Sequence, residues 1–128
     1  MERIAPPDPN WISLPCSICA VKTALDFWVP PKLKDDFKEI NIPDGFVVKK
    51  DSYVTLNSMN KLIRSNLPVR KRVNFKKGER PLLKDYIPNN QETAIICCLG
   101  HYIYQEYDKY YSFYNNDNDE VVSVWILI

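Results

Sequence analysis

The final third of the sequence holds almost nothing but strand signal, and that limits what the rest can build. "TAIICCL" is an unbroken β-prone run of the kind that lies buried on both faces of a sheet. "HYIYQEY", "YYSFY" and "VVSVWILI" follow it, separated by turn residues. Strands joined this closely pair as antiparallel neighbours. The earlier part reads mainly as helix. In "CSICAVKTALDFW", Ile18, Val21, Ala24, Leu25 and Trp28 recur at helical spacing, and Pro30 and Pro31 stop the run. A second helix is expected after Thr55 as N-cap, with Leu56, Met59, Leu62, Ile63 and Leu67 as its buried stripe, limited by Pro68. Helices first and a closely connected sheet afterwards make an α+β fold.

The remaining segments read as connections. Residues 1–15 are proline-rich and polar, an extended lead-in. "KLKDDFKEINIPDG" is a charged connection closed by the turn signal Pro43-Asp44-Gly45. "VRKRVNF" alternates as a strand, with Val69, Lys71 and Val73 expected on one side and Arg70, Arg72 and Asn74 on the other. "RPLLKDYI" is expected to form a short helical turn. At 128 residues the protein is expected to be a single domain spanning 1–128.

Charge and composition narrow the partners. Seventeen Lys+Arg against sixteen Asp+Glu leave a formal charge of +1, which creates no global field for nucleic acid or membrane. No run of about 18 apolar residues is present, so no membrane span is expected. "MERIAPPDPN" has no apolar h-region, so no secretory signal is read. Without one, the four cysteines are expected as thiols in a cytoplasmic protein.

Cys16 lies where the proline-ended lead-in meets the first helix. The unpaired N–H groups and dipole of a helix start stabilise an anion, which predicts a lowered thiol pKa and more thiolate. His101 is the single histidine of the sequence, at the head of a strand. A cysteine nucleophile needs a base, and the base needs a third group to hold its tautomer. If Asp108 and Lys109 form a two-residue turn, His101 faces Asn116. A three-residue turn presents Asn115, and a bulge brings in Asp117. Asn10, six residues before Cys16, is a candidate oxyanion donor alongside backbone N–H groups of the helix start.

Several rival readings use the same residues. Cys19, with Ser13 six residues upstream, is a second nucleophile candidate, ranked lower because it lies a turn into the helix. Cys16, Cys19, Cys98 and His101 could supply four zinc-type ligands, although the pairs lack the glycine or proline turns of zinc knuckles. Cys16-x-x-Cys19 also has redox-motif spacing but no preceding strand. "VRKRVNFKKGER" could contact phosphates, but it alternates as a strand with a solvated face. The eight tyrosines cluster mainly in the final sheet and read as packing.

The order of an amide residue, a cysteine opening a helix, a histidine opening a late strand and a polar turn after the next strand resembles the papain-like cysteine peptidase superfamily. "GHYIYQEYDKYYSFYNN" is similar to the histidine box of ubiquitin-specific proteases. The length, the helical middle and the short gap from His101 to the polar turn are more similar to double-glycine leader peptidases. "NWISLPCSICAVKTAL" has neither the Gly-Asn-Thr-Cys nor the Asp-Cys-Gly pattern of those families.

The resemblance implies a papain-like fold, with the N-terminal helix packed on a C-terminal antiparallel sheet. It implies a triad of Cys16, His101 and Asn116 (or Asn115 or Asp117) hydrolysing amide or isopeptide bonds in a peptide or protein substrate, with no cofactor and no metal. The charge balance and the lack of an apolar span leave no nucleic-acid or membrane partner expected. The leading alternatives are a catalytically silent binding module on the same fold and a small zinc-stabilised interaction domain.

Overall fold

The computed structural model describes residues 1–28, 40–49 and 54–128. In sequence order, these form strand β1 (Glu2–Ile4), a 3-10 turn (Pro9–Ser13), helix α1 (Cys16–Trp28), helix α2 (Leu56–Asn66), strand β2 (Val69–Asn74) and helix α3 (Leu83–Asn89). Strands β3 (Glu92–Cys98), β4 (His101–Tyr107), β5 (Lys109–Tyr111) and β6 (Val121–Leu127) complete the order. The architecture is α+β. Pro30, Pro31 and most of the charged connection lie outside the described residues. The Pro43-Asp44-Gly45 turn is formed: the Phe46 N–H donates to the Pro43 carbonyl at 3.2 Å, and Gly45 takes φ 81°, the left-handed value such a turn needs.

The six strands form one mixed sheet in the order β1-β5-β4-β3-β6-β2. β3, near its centre, pairs antiparallel with both β4 and β6. Both faces of β3 are covered, as its unbroken apolar run requires. Ile95 and Cys97 join the α1/α2 side with Tyr102, Tyr104 and Trp125. Ala94, Ile96 and Cys98 join the α3 side with Ile103, Val124 and Leu83. Helix α2 starts as expected: the Thr55 side chain accepts from the Ser58 N–H, and Met59, Leu62 and Ile63 are buried.

Two features depart from the sequence reading. The lead-in is not all extended coil, because β1 pairs parallel with β5, which makes the sheet mixed rather than purely antiparallel. β2 carries a bulge between Val69 and Lys71. One extra residue inverts the alternation, so Val69 packs toward α1 and α2 whereas Val73 packs toward α3. The two valines therefore lie on opposite sides. The basic run is partly used by the fold: the Arg72 guanidinium lies 4.7 Å from the Trp125 ring centroid, and Arg70 pairs with Glu92 at 3.4 Å.

The turns flanking β4 place the polar residues. Cys98 and His101 pair across a two-residue turn, Leu99-Gly100, in which Gly100 takes φ 83°. A Cβ there would meet no atom within 4 Å, so backbone conformation alone favours glycine. His101 thus begins β4 immediately after a sharp reversal. At the other end Glu106 pairs with Lys109, so the turn is Tyr107-Asp108, one residue earlier than expected. Tyr107 takes φ 56° to make it. Among the described residues no helix is long and apolar enough to cross a membrane.

Candidate active site

Cys16 opens α1, whose first internal bond runs from the Cys19 N–H to the Pro15 carbonyl at 3.0 Å. Its sulfur is half-buried, and burial raises its pKa. Backbone hydrogen bonds from Tyr102, Ser17 and Cys16 itself pull in the other direction without prevailing. The lowered pKa expected from the helix start is therefore not found, because desolvation of a thiolate outweighs the terminal N–H groups. The Tyr102 contact places the sulfur against the backbone immediately after His101. All four cysteines are free thiols. Burial pushes Cys19 and Cys97 up to about 11 and raises Cys98 strongly, so they are still poorer nucleophiles at neutral pH.

His101 begins a directional series of hydrogen bonds. Its Nε2 lies 3.3 Å from Ser112 Oγ. Ser112 Oγ donates to Asn116 Oδ1 at 2.7 Å, and Asn116 Nδ2 donates to Asp119 Oδ2 at 2.7 Å. The carboxylate fixes every direction, because it can only accept. Asn116 must turn its amide nitrogen toward Asp119, which leaves its oxygen for the Ser112 hydroxyl. Ser112 has then used its single proton, and its oxygen already accepts from the Tyr114 N–H at 3.1 Å. It can only accept from His101 as well. The network thus assigns the imidazole proton to Nε2 and leaves Nδ1 as a free acceptor. Burial lowers the pKa of His101, against an opposing pull from the Asp119 charge, so the ring is neutral at pH 7.

This loop is held by its own polar groups. Asn116 donates its backbone N–H to Tyr110 Oη at 3.0 Å, and that hydroxyl donates to Asp117 Oδ1 at 2.7 Å. The backbone carbonyls of Asp117 and Asp119 accept from Lys84 and Leu83, at the start of α3. Ser112 and Asn116 are 3% and 5% exposed, so the relay runs largely out of water.

Cys16, His101 and Tyr102 are shared by two adjoining depressions. One is a cleft of about 450 Å³ that also has Val54, Leu56, Leu99 and Arg80 in its walls. The other is a crevice of about 30 Å³ bounded by Trp11, Ile12, Ser112 and Tyr114. Cys16 and His101 therefore both line each depression, Cys16 from the α1 side of the sheet and His101 from the end of β4 beside Cys98. No family model, curated protein or solved structure matches the protein.

Of the residues singled out in the sequence, Cys16 and His101 line the same two depressions, and Asn116 is linked to His101 through Ser112. Among the described residues, no hydrogen bond joins the Cys16 thiol to the His101 ring. Asn116 reaches the imidazole through Ser112 rather than directly. The early turn explains this: the β4–β5 register, continued, sets Tyr114 opposite His101, and their rings meet edge-on at 5.8 Å. Asn115 and Asp117 serve the loop, with Asn115 Oδ1 accepting from the Asp117 N–H at 2.9 Å. Asn10 is exposed on the 3-10 turn and lines neither depression; its N–H donates to Asp8 and its carbonyl accepts from Ser13. Among the described residues no group of three or more His, Cys, Asp or Glu side chains is placed to hold a metal ion, so the four-ligand zinc set is not assembled. Sequence reasoning misses Ser112 and Asp119. A serine following a tyrosine pair carries no signal of its own.

Proposed function

We propose that the protein is a cysteine-dependent hydrolase of amide bonds in a peptide or protein, with a papain-like arrangement of helix-borne thiol and strand-borne imidazole. The observation that carries this reading is the one-way relay from Asp119 to His101, which leaves a neutral imidazole with Nδ1 unprotonated in a cleft it shares with Cys16. Such a relay holds the ring in the single tautomer that a general base needs.

In this scheme the Cys16 thiol is neutral at rest, since burial holds its proton. His101 Nδ1 takes that proton as sulfur bonds to the substrate carbonyl carbon. Backbone N–H groups of the first turn of α1, which have no intrahelical acceptor, hold the oxyanion. The exposed Asn10 side chain would have to swing in to assist them. Collapse of the adduct breaks the C–N bond, and the imidazolium returns its proton to the leaving amine. Water, deprotonated by His101, then cleaves the thioester to release the acid and restore the thiol. The two depressions that Cys16 and His101 both line suit the two halves of a cut peptide, and their rims carry exposed Leu99, Ile12 and Tyr114. Four free thiols suit a reducing, cytoplasmic setting.

The test uses p-nitrophenyl acetate as a generic acyl donor. Acetyl transfer should occur first at Cys16, read by mass spectrometry, and His101→Ala should abolish it while the far-ultraviolet circular dichroism is unchanged. Acetylation spread over all four cysteines, or unaffected by His101→Ala, overturns the reading. A non-catalytic module on the same fold is the second reading, favoured by the raised thiol pKa of Cys16. It predicts no acetyl-Cys16 at all.

A further inference from the structure

Arg80 contributes a charge to the larger cleft that the hydrolytic scheme leaves unused. We propose that Arg80 is a specificity-determining residue, and that this cleft takes an otherwise apolar substrate segment carrying a carboxylate. The inference rests on the Cys16 reading for its catalytic meaning and extends it by naming the charge of the substrate.

The cleft is apolar on most of its wall, through Val54, Leu56, Leu99, Tyr102 and Val122. Among its described lining residues only Arg80 bears a fixed charge. Its Nε is buried and has no hydrogen-bond partner. A guanidinium stays charged at any accessible pH, and an unpaired buried N–H on it is costly. Its position is not accidental, because the adjoining segment is pinned. The Val121 N–H donates to the Pro81 carbonyl at 2.8 Å, and Leu82 bridges to Glu120. Arg72 makes a useful contrast. It also acts on the Cys97 thiol, as Arg80 does, but it is committed to Trp125 and donates to Ser123 Oγ at 3.2 Å.

An uncommitted guanidinium in an apolar wall attracts an anion more strongly than one in water. Its planar fork matches a carboxylate. A volume of about 450 Å³ holds a few side chains of an extended peptide. The carboxylate can come from an acidic side chain or from the free C-terminus of a peptide, and both present the same group to Arg80.

Two alkylating reagents of similar size but different charge test this on the 128-residue protein. Rates at Cys16 are measured with iodoacetate and with iodoacetamide, and their ratio is compared with that of the denatured protein. The ratio should be raised in the folded protein. It should fall about tenfold in Arg80→Gln, as expected for loss of one charge-assisted contact, and be partly kept in Arg80→Lys. A folded-state ratio equal to the denatured one, or unchanged in Arg80→Gln, overturns the proposal.

Protection of Cys16 by capped peptides gives a second measurement, independent of reagent charge. Acetyl-Leu-Leu-Glu-amide and acetyl-Leu-Leu-Leu with a free C-terminus should protect better than acetyl-Leu-Leu-Leu-amide, and whichever protects names the source of the carboxylate. Equal protection by the amide peptide overturns the proposal. If p-nitrophenyl acetate acetylates Cys16 while these ratios do not move, only Arg80 is misassigned. If the ratios move while acetylation fails, the cleft binds carboxylates but the hydrolase reading falls.

Discussion

The centre of the sheet and the loop of residues 112–120 are both well packed, but different forces hold them. Around β3 most side chains are aliphatic or aromatic, nearly every one is excluded from water, and position is fixed mainly by shape. In the loop the fixing agents are directed hydrogen bonds among Ser112, Asn116, Asp119 and Tyr110. Shape tolerates swaps of similar volume. A one-way hydrogen-bond relay tolerates almost none, since each donor decides the role of the next acceptor. The first region should therefore govern whether the protein folds. The second should govern what the imidazole can do once it has folded.

The largest test of that contrast is Trp125→Ala. Trp125 is fully buried, carries Arg72 on its ring and donates its indole N–H to Asn60 Oδ1 at 2.9 Å. Its loss should cost about 3–5 kcal/mol in denaturant unfolding, a large share of the total stability of an ordinary domain. A change under about 1 kcal/mol would break the comparison, because the sheet would not be what holds the fold.

Ser112→Ala should do the reverse. Stability should fall by about 1 kcal/mol, while acetyl transfer to Cys16 falls about tenfold or more, because the ring loses the acceptor that fixes its tautomer. Nitrogen-15 NMR should place the wild-type proton on Nε2 and show a tautomer mixture in the variant. Equal losses of stability and rate would make Ser112 a packing residue.

The smallest expected effect is the pH dependence of stability. Burial holds His101 below its ordinary pKa in the folded protein. The unfolded state therefore takes up the proton first as pH falls, and stability drops from about pH 6.5 through the lower folded value. Asp119→Asn removes the charge that opposes this shift, so the step should move to lower pH. Burial acts oppositely on Cys19 and Cys97, whose folded pKa values are about 11 against 9.0 unperturbed. The unfolded state loses those protons first, and stability should fall again as pH rises above about 9. Thermal melts at intervals from about pH 4 to pH 11 should give a maximum between the two limbs, and a flat acid limb in His101→Gln would assign that limb.

The same contrast explains what is legible in the sequence. "TAIICCL" reads as a doubly covered strand, and Thr55 before a periodic apolar stripe reads as a helix start; both follow from local pattern. Cys16 and His101 are legible because each opens an element. Asn116 is legible as a partner type but not in its manner of contact, which depends on a turn one residue earlier and on Ser112. The β2 bulge is invisible because "VRKRV" alternates equally well in either register. β1, at three residues, is too short to show a period. The thiol pKa of Cys16 runs against the sequence reading because a helix start can be read from residues, whereas the desolvation around it cannot.

β1 also has a bearing on when the relay can form. The Ile4 carbonyl accepts the Ser112 N–H at 3.0 Å, and Arg3 Nη1 donates to the Ser112 carbonyl at 3.1 Å across 109 positions of sequence. β1 precedes β5 in the chain by more than a hundred residues and has no partner strand until β5 is made. Loop closure over such a separation is entropically slow. The clamp on the Ser112 backbone, and with it the orientation of the imidazole, is therefore set later than the local contacts within α1 and α2.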